Sequence, residues 1–396
     1  MTNSFPPFTP GINAKSLVAD GVLAIRWSDW LEKSPENIPP GADLADRAEG
    51  MMLGLAVGDS LGNTSESMLR HHRHEVHGLI EHYLPNSYAG FRRVGVPSDD
   101  TQMACWILEH LLTQGRLEPH ALGAVFASRR IFGMGNTVRE FRVNFSAGVP
   151  WHEAGPRSSG NGALMRVAPI LLPYLRAPGE GLWNDTLLVS HLTHNDELSN
   201  VACLAFVDLL WRLIGMKEIP SGDWWLDTFT STCRILETGK AYVPRAGHPE
   251  NFEGSLSDLL STYLRSAIAK NLPVHEACAT WHSGAYLLET VPCVIYILAR
   301  HGHDPVAAML AAVNETKDND TIAAIVGAAM GALHGRRAIP ERWVADLLGR
   351  TAADDDGRLF ELLTMAGERF GYGVSDALRE RLALREIEPL TQKGAT

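Results

Sequence analysis

The chain has 396 residues, of which 45% are hydrophobic and 20% are charged. This composition is typical of a globular protein with a large core, and it excludes a disordered, collagen-like or disulfide-stapled chain. The 35 basic and 46 acidic residues give a formal net charge of −11, which argues against a general nucleic-acid binder. Five widely spaced cysteines without a C-x-x-C pair indicate a reducing compartment.

Residues 1–44 differ from the rest of the chain, because six prolines bracket one predicted helix at about 16–33. The start lacks the features of a secretory signal, and the longest apolar stretches considered are shorter than the roughly 20 residues that span a bilayer. We therefore expect a cytoplasmic protein without a membrane partner. The segment is either a strap in which Trp27 and Trp30 cover the core or an arm that contacts a partner or substrate. The cost of exposing tryptophan favours the strap.

From residue 45 onward, apolar residues recur at three- and four-residue spacing, for example across 198–213. Strict alternation is scarce, and no low-complexity linker or internal repeat divides 45–396. The pattern predicts one large all-α domain that follows the extension at 1–44. The least helical stretch, about 133–162, is rich in Gly, Asn, Ser and Arg. Long irregular segments inside compact domains are often functional.

Two acidic boxes stand immediately before apolar helices, SDDT at 98–101 and DNDT at 318–321. Each box alone is explained by helix capping, because small polar and acidic side chains satisfy the free amides of a first turn. An EF-hand is excluded, since positions 6 and 12 counted from Asp318 are Ala323 and Ala329. Together the boxes form an oxygen-only donor set of the kind that Mg²⁺, Mn²⁺ or Ca²⁺ prefers. If the two helix starts meet, four carboxylates converge and two cations about 3.5–4 Å apart would neutralise them.

Three further patterns leave alternatives open. Ser60 lies in a formal G-x-S-x-G nucleophile motif, but 47–57 is predicted to be a helix where that motif needs a strand, which makes a serine hydrolase the weaker alternative. The glycine-rich 158–166 fits either a diphosphate site or an ordinary loop, and the polar 190–196 is typical of a helix end. The histidines within 71–82 lack H-E-x-x-H spacing and predict a solvated or substrate-facing loop rather than a zinc site.

Taken in chain order, five segments resemble the ADP-ribosylglycohydrolase family: GLAVGDSLG, SDDTQM, SSGNGALMRVAPI, SHLTHND and DNDTIAAIVGAAMGALHG. The resemblance extends from about residue 45 to 335. It implies a single orthogonal helical domain with a binuclear Mg²⁺ or Mn²⁺ cleft. It also implies an enzyme that removes ADP-ribose from a modified protein side chain, most commonly arginine.

The resemblance carries roles to individual positions. The implied metal ligands are Ser98, Asp99, Asp100, Asp318, Asp320 and Thr321. The implied ADP-ribose contacts are Gly160, Asn161, Gly162, Met165 and His194. Either Asp100 or Glu66 would transfer the proton during hydrolysis. Thr316 and Lys317 replace a Gly-Gly-like pair, which leaves the acceptor open among arginine, serine, a base and a small molecule.

Two alternatives of a different class accompany this interpretation. A protein with the same fold could bind ADP-ribose or a partner without turnover. Some relatives are antidotes to ADP-ribosylating toxins, so residues 1–44 could dock onto such a transferase, with the tryptophans as anchors.

Overall fold

The computed structural model describes residues 12–246 and 249–383, and this part of the chain contains no β-strand beyond four isolated bridges. The all-α prediction is confirmed. The helices of the first half are α1 Ala14–Ala19, α2 Leu44–Gly62, α3 Arg70–His77, α4 Asp99–Gln114, α5 Pro119–Ser128, α6 Asn136–Ser146, α7 Trp151–Ala154, α8 Gly181–His191 and α9 Glu197–Gly215. Those of the second half are α10 Gly222–Leu236, α11 Leu256–Leu259, α12 Arg265–Ala269, α13 Val274–Thr280, α14 Leu287–His301, α15 Pro305–Glu315, α16 Asn319–His334, α17 Glu341–Ala345 and α18 Arg358–Arg369.

Helices α2 and α16 make direct backbone contact along a line of glycines. A Cβ atom on Gly54 would lie 2.1 Å from the carbonyl oxygen of Gly327, and one on Gly331 would lie 1.9 Å from that of Gly50. At the other end, a Cβ on Gly62 would lie 2.5 Å from the Cα of Asp320. The order of these contacts makes the two helices antiparallel. The C-terminal end of α2 therefore meets the N-terminal end of α16, where the second acidic box begins.

Helix α9 is a central core helix that packs against α8, α10 and α16. By length and composition this helix could cross a membrane. It is longer than the apolar stretches on which the sequence-based expectation of no membrane span was based. In the fold, 89% of its most apolar window is buried, as in the core helix of a soluble protein.

Residues 12–43 lie along α8, α9 and α10. The Trp30 and Trp183 ring centroids are 4.4 Å apart, and the Trp183 indole N–H donates to the Lys33 carbonyl at 2.8 Å. The Trp211 indole donates in the same way to the Glu36 carbonyl at 2.8 Å. These contacts favour the strap over the arm, because the segment satisfies buried polar groups of the core.

Three local predictions are wrong. The helix expected at 16–33 ends at Ala19, because Gly21 takes a left-handed backbone (φ 70°) that closes the turn. The histidine-rich stretch is a helix, α3, rather than a loop. The supposedly irregular 133–162 contains α6, whose buried Val138 and Phe141 give it a single apolar stripe that its polar neighbours mask.

Candidate active site

Asp59, in the last turns of α2, organises the start of α4. Its fully buried carboxylate accepts hydrogen bonds from the Ser98 amide at 2.9 Å, the Thr101 amide at 3.2 Å and the Thr101 hydroxyl at 2.6 Å. The Asn63 amide group donates to it at 3.0 Å. The amides of the first turn of α4 are therefore satisfied by a carboxylate from another helix.

Because Asp59 caps α4, the side chains of the first acidic box are free for other contacts. Ser98 makes no capping hydrogen bond, and its hydroxyl donates to Asp100 Oδ2 at 2.8 Å. Asp100 Oδ1 is buried and has no hydrogen-bond partner. One carboxylate oxygen each from Asp59, Asp100 and Asp320 lies within 4.8 Å of the other two. The capping interpretation of the first box does not hold.

The second acidic box behaves in the same way. Asp318 precedes α16 without capping it, and its Oδ2 accepts a hydrogen bond from the Asn161 side-chain amide at 2.6 Å. Asn161 also donates to the Thr290 hydroxyl at 2.9 Å. Glu66, Asp318 and Asp320 form a second set of carboxylates within 4.8 Å, which shares Asp320 with the first.

The carboxylates raise one another's proton affinity. Burial, with the nearby charges of Asp59 and Asp99, raises the pKa of Asp100 well above its ordinary value. Burial and the charge of Asp100 do the same to the pKa of Asp320. Burial raises the pKa of Asp318 to about 7, although the hydrogen bond from Asn161 acts in the opposite direction. Arg73 and Lys317 supply opposing positive charge, but the pKa values of Asp320 and Asp318 remain raised.

The glycine-rich loop forms the opposite wall. A Cβ on Gly162 would lie 2.9 Å from His194 Cε1, so glycine leaves room for the imidazole. His194 Nδ1 lies 2.8 Å from the Thr193 hydroxyl, which also accepts a hydrogen bond from Arg166. Burial and the charge of Arg166 hold the pKa of His194 well below its ordinary value. His194 is therefore a neutral wall residue.

These walls enclose a cleft of about 230 Å³. The predicted site residues that line it are Glu66, Asp99, Asp100, Gly160, Asn161, Gly162, Met165, His194, Asp318, Asp320 and Thr321. Ser98 lies behind Asp100 and does not line the cleft. Lys317 Nζ lies 3.0 Å from His282 Nε2 and is not among the lining residues either. Ser60 is buried inside α2, away from the cleft, and no strand precedes it, so the nucleophile-elbow geometry is absent from the described residues.

Sequence reasoning missed Asp59 and Arg245. Asp59 was visible only as part of the GDSLG segment, where an acidic residue within a predicted helix rich in small residues was the available signal. Arg245 lines the mouth of the cleft from a segment between α10 and α11 that carries no motif. Asn161 was expected to contact substrate, whereas its side-chain amide is already engaged by Asp318 and Thr290.

The sequence model of the ADP-ribosylglycohydrolase family matches residues 40–369. The chain belongs to this family. It is 26% identical over 335 residues to the ADP-ribosyl-[dinitrogen reductase] glycohydrolase of Rhodospirillum rubrum, covering 83% of this chain and 99% of that protein. It is 25% identical over 331 residues to the ADP-ribosylarginine hydrolase Tri1 of Pseudomonas putida (strain GB-1), covering 80% and 77% respectively.

A solved structure described as an ADP-ribosylglycohydrolase-related protein complex has the same fold, with a TM-score of 0.61. It is 23% identical and covers 84% of this chain and 99% of its own. Family membership makes the chain a hydrolase of ADP-ribose linkages.

The residues present fit a divalent cation. The donor atoms of the two clusters are all carboxylate oxygens, which hard cations prefer. Asp100 Oδ1 is buried without a partner, and an orphaned anionic oxygen of this kind is costly unless a cation or a proton compensates it.

Proposed function

We propose that this chain is a divalent-cation-dependent hydrolase that removes ADP-ribose from ADP-ribosylated arginine on a protein, in the cytoplasm. The observation that carries the proposal is the convergence of two carboxylate clusters and the glycine-rich loop on one cleft. Relatives named for ADP-ribosylarginine and for ADP-ribosylated dinitrogen reductase support the choice of linkage.

Asp59, Asp100, Asp318 and Asp320 would hold the cations, Mg²⁺ or Mn²⁺. When bound, the cations would neutralise the carboxylates and orient a sugar diol or water. The chain's own contribution is orientation: the Asp59 cap sets the position of Asp100. The Asn161 amide group likewise holds Asp318 in place for the second cluster.

Hydrolysis adds a water hydroxyl to C1″ of the ribose as the bond from C1″ to the leaving nitrogen breaks. A carboxylate of the cleft would take the proton from that water and give it to the nitrogen. Asp100 is 1% exposed and is held by Ser98, whereas Glu66 is exposed at the rim. A group that exchanges protons with solvent between turnovers needs such access, so we assign the proton transfer to Glu66 rather than Asp100. Gly162 and the neutral His194 shape the wall that accommodates the remote part of the ADP-ribosyl group.

The test is the release of free ADP-ribose from three substrates: an arginine-modified protein, a serine-modified protein and a modified nucleic-acid base. Each is assayed with Mg²⁺, with Mn²⁺ and with chelator. We expect release from the arginine linkage that requires cation. The matched variant Ser60→Ala should keep full activity, because Ser60 lies outside the cleft. Loss of activity in that variant would support the serine-hydrolase alternative, and tight ADP-ribose binding without release would support a binding protein.

A further inference from the structure

Arg245 lies at the mouth of the cleft. Its guanidinium carbon is 4.6 Å from the centroid of the Tyr286 ring. Among the described residues that line the cleft, Arg245 is the sole lysine or arginine, and it faces five aspartate and glutamate side chains. The side chain is exposed, and within the described part of the chain no carboxylate oxygen lies within 4.0 Å of it. Its N–H donors are therefore available to a ligand.

The segment that carries Arg245 is fixed at its start by two carboxylates of the α9 N-terminus. Asp196 accepts hydrogen bonds from the Tyr242 hydroxyl at 2.8 Å and from Lys240 Nζ at 2.7 Å. Glu197 accepts from the Thr238 amide at 3.0 Å. The hydrogen bonds from Lys240 and Tyr242 hold the pKa of Asp196 below its ordinary value despite burial, so this anchor is ionised at neutral pH.

The other end of the segment is fixed beside Tyr286. The Ala246 backbone amide donates a hydrogen bond to Glu289. Burial raises the pKa of Glu289, although the charges of Arg245 and Lys317 act in the opposite direction. The guanidinium is thus presented from a segment held on both sides, so its position over the Tyr286 ring costs little further ordering when a ligand binds.

The glycine-rich loop lies directly alongside. Gly160 pairs with Tyr286 in an isolated antiparallel bridge, and the Asn161 backbone amide donates to the Ala285 carbonyl at 3.2 Å. The Ser159 hydroxyl donates to Asp196 at 2.9 Å, so one carboxylate ties the loop to the Arg245 segment. Arg245 therefore shares a wall with the loop rather than with the carboxylate clusters.

We propose that Arg245 is a specificity-determining residue that binds the diphosphate of the ADP-ribosyl group. This inference rests on the proposed function. A guanidinium matches phosphate oxygens with two parallel hydrogen bonds, and its positive charge complements the two negative charges of a diphosphate. The neutral backbone and amide groups of the loop do not supply that charge.

The experiment is calorimetric titration of the Mg²⁺-loaded protein with ADP-ribose and, in parallel, with adenosine, which lacks the phosphates. The variants are Arg245→Gln and Arg245→Lys. The matched control is Arg342→Gln, since Arg342 is also exposed and lies over an aromatic ring, Trp343 at 5.3 Å, but does not line the cleft. Thermal unfolding of each variant measures its stability separately.

We expect the Kd for ADP-ribose to rise about tenfold in Arg245→Gln and less in Arg245→Lys, which keeps the charge but not the paired donors. The difference should shrink at high salt, because the site is exposed. In turnover, KM should rise by a similar factor while kcat stays within about twofold, because the phosphates are remote from the reacting carbon.

Unchanged ADP-ribose affinity in Arg245→Gln, with the wild type binding normally, would overturn this inference and leave the proposed function standing. An equal loss for adenosine would overturn it too, because the residue would then recognise the nucleoside. If the wild type binds no ADP-ribose at all, both the inference and the proposed function fail.

Discussion

Glu66 and Asp100 are the two carboxylates on which the proposed chemistry depends, and their environments differ. Glu66 stands exposed at the rim, whereas Asp100 is buried between Ser98 and the other carboxylates. The contrast separates a group that moves a proton from one that is built to hold a cation. Replacing each carboxylate by the amide of the same shape should therefore affect kcat and cation binding differently.

We therefore expect Glu66→Gln to lower kcat by about 10²-fold or more while the Kd for ADP-ribose changes little, because general acid–base catalysis contributes on this scale. Asp100→Asn should lower kcat at least as much and also weaken cation binding. Steady-state kinetics and Mg²⁺ titration measure the two effects. Glu66→Gln with wild-type kcat would assign the proton transfer to another group.

A second prediction at this scale concerns pH. His110 is buried, and its Nε2 accepts a hydrogen bond from the Glu118 amide at 3.0 Å, which requires the neutral ring. Burial lowers the pKa of His110 to about 4. The unfolded chain, with a pKa of about 6.5, binds more protons between these values, so this contribution to stability is lost as pH falls from about 6.5 to 4.

We expect His110 to account for about 3 kcal/mol of the fall in unfolding free energy across that window. Denaturant unfolding at several pH values should show a shallower dependence in His110→Gln than in the wild type. The exposed His120→Gln should keep the wild-type slope. Equal slopes in all three proteins would contradict the assignment.

At the residue level, the sequence was sufficient to predict which residue types line the cleft, but not which side chains contact one another. Each acidic box, and the glycine-rich loop, is a short contiguous segment, so its residue types could be recognised from the sequence. That Asp59 caps α4, and that Asn161 engages Asp318, depends on helices far apart in sequence. Helix capping was the natural expectation for both boxes, because local capping cannot be distinguished by sequence from a cap supplied elsewhere.

Among the helices, the α2–α16 pair carries the most specific requirement. Gly54 and Gly327 face one another so closely that a Cβ on either would lie 2.1 Å from the other's carbonyl oxygen. Elsewhere in a helix, replacing glycine by alanine stabilises by about 1 kcal/mol. Here the helices would have to separate to make room for the methyl group, so alanine should lower the stability instead of raising it.

We expect Gly54→Ala to destabilise the protein by about 3 kcal/mol or more and to abolish hydrolysis, because both carboxylate clusters would be displaced. Gly179→Ala is the matched control, since nothing lies within 4 Å of the added Cβ, and it should change stability by less than about 0.5 kcal/mol. Thermal or denaturant unfolding decides the comparison. A stabilised Gly54→Ala would refute the close contact.

Helical periodicity was sufficient to predict the class of the fold and most of its longer helices. It failed where the pattern is short or diluted by polar residues, as in α3 and α6, which bury only one and two side chains. It also overextended α1, because a left-handed residue at Gly21 is a backbone preference that the apolar pattern does not record.

For the whole molecule, residues 12–43 behave as part of the core rather than as an appendage. We expect deletion of residues 1–39 to give an insoluble or strongly destabilised protein, because Trp183 and Trp211 lose their covering contacts. The milder Trp30→Ala should lower Tm by about 3–6 °C, whereas exposed Leu79→Ala should not. A truncated protein with wild-type Tm would restore the arm interpretation.

Cation binding should also be visible in global stability. A ligand that binds the folded state alone stabilises it by about 2.7 kcal/mol at 100 times its Kd. We expect saturating Mg²⁺ or Mn²⁺ to raise Tm by several degrees and chelator to reverse this. Asp318→Asn should lose the shift and the exposed Asp227→Asn should keep it. Full hydrolysis in excess chelator would remove the cation from the proposed function.

The glycine contact between α2 and α16 also fixes the relative position of two segments that are more than 250 residues apart in sequence. Because no side chains separate the two helices at these glycines, no side chain can adjust its conformation to accommodate an inserted or deleted residue. One residue inserted between Gly54 and Asp59 would turn the aspartate by about 100° and advance it by about 1.5 Å. The positions of the Asp59 cap, the cleft carboxylates and the glycines on both helices must therefore change together. Natural or designed variants of this fold should tolerate insertions in the connecting loops but not within α2 or α16.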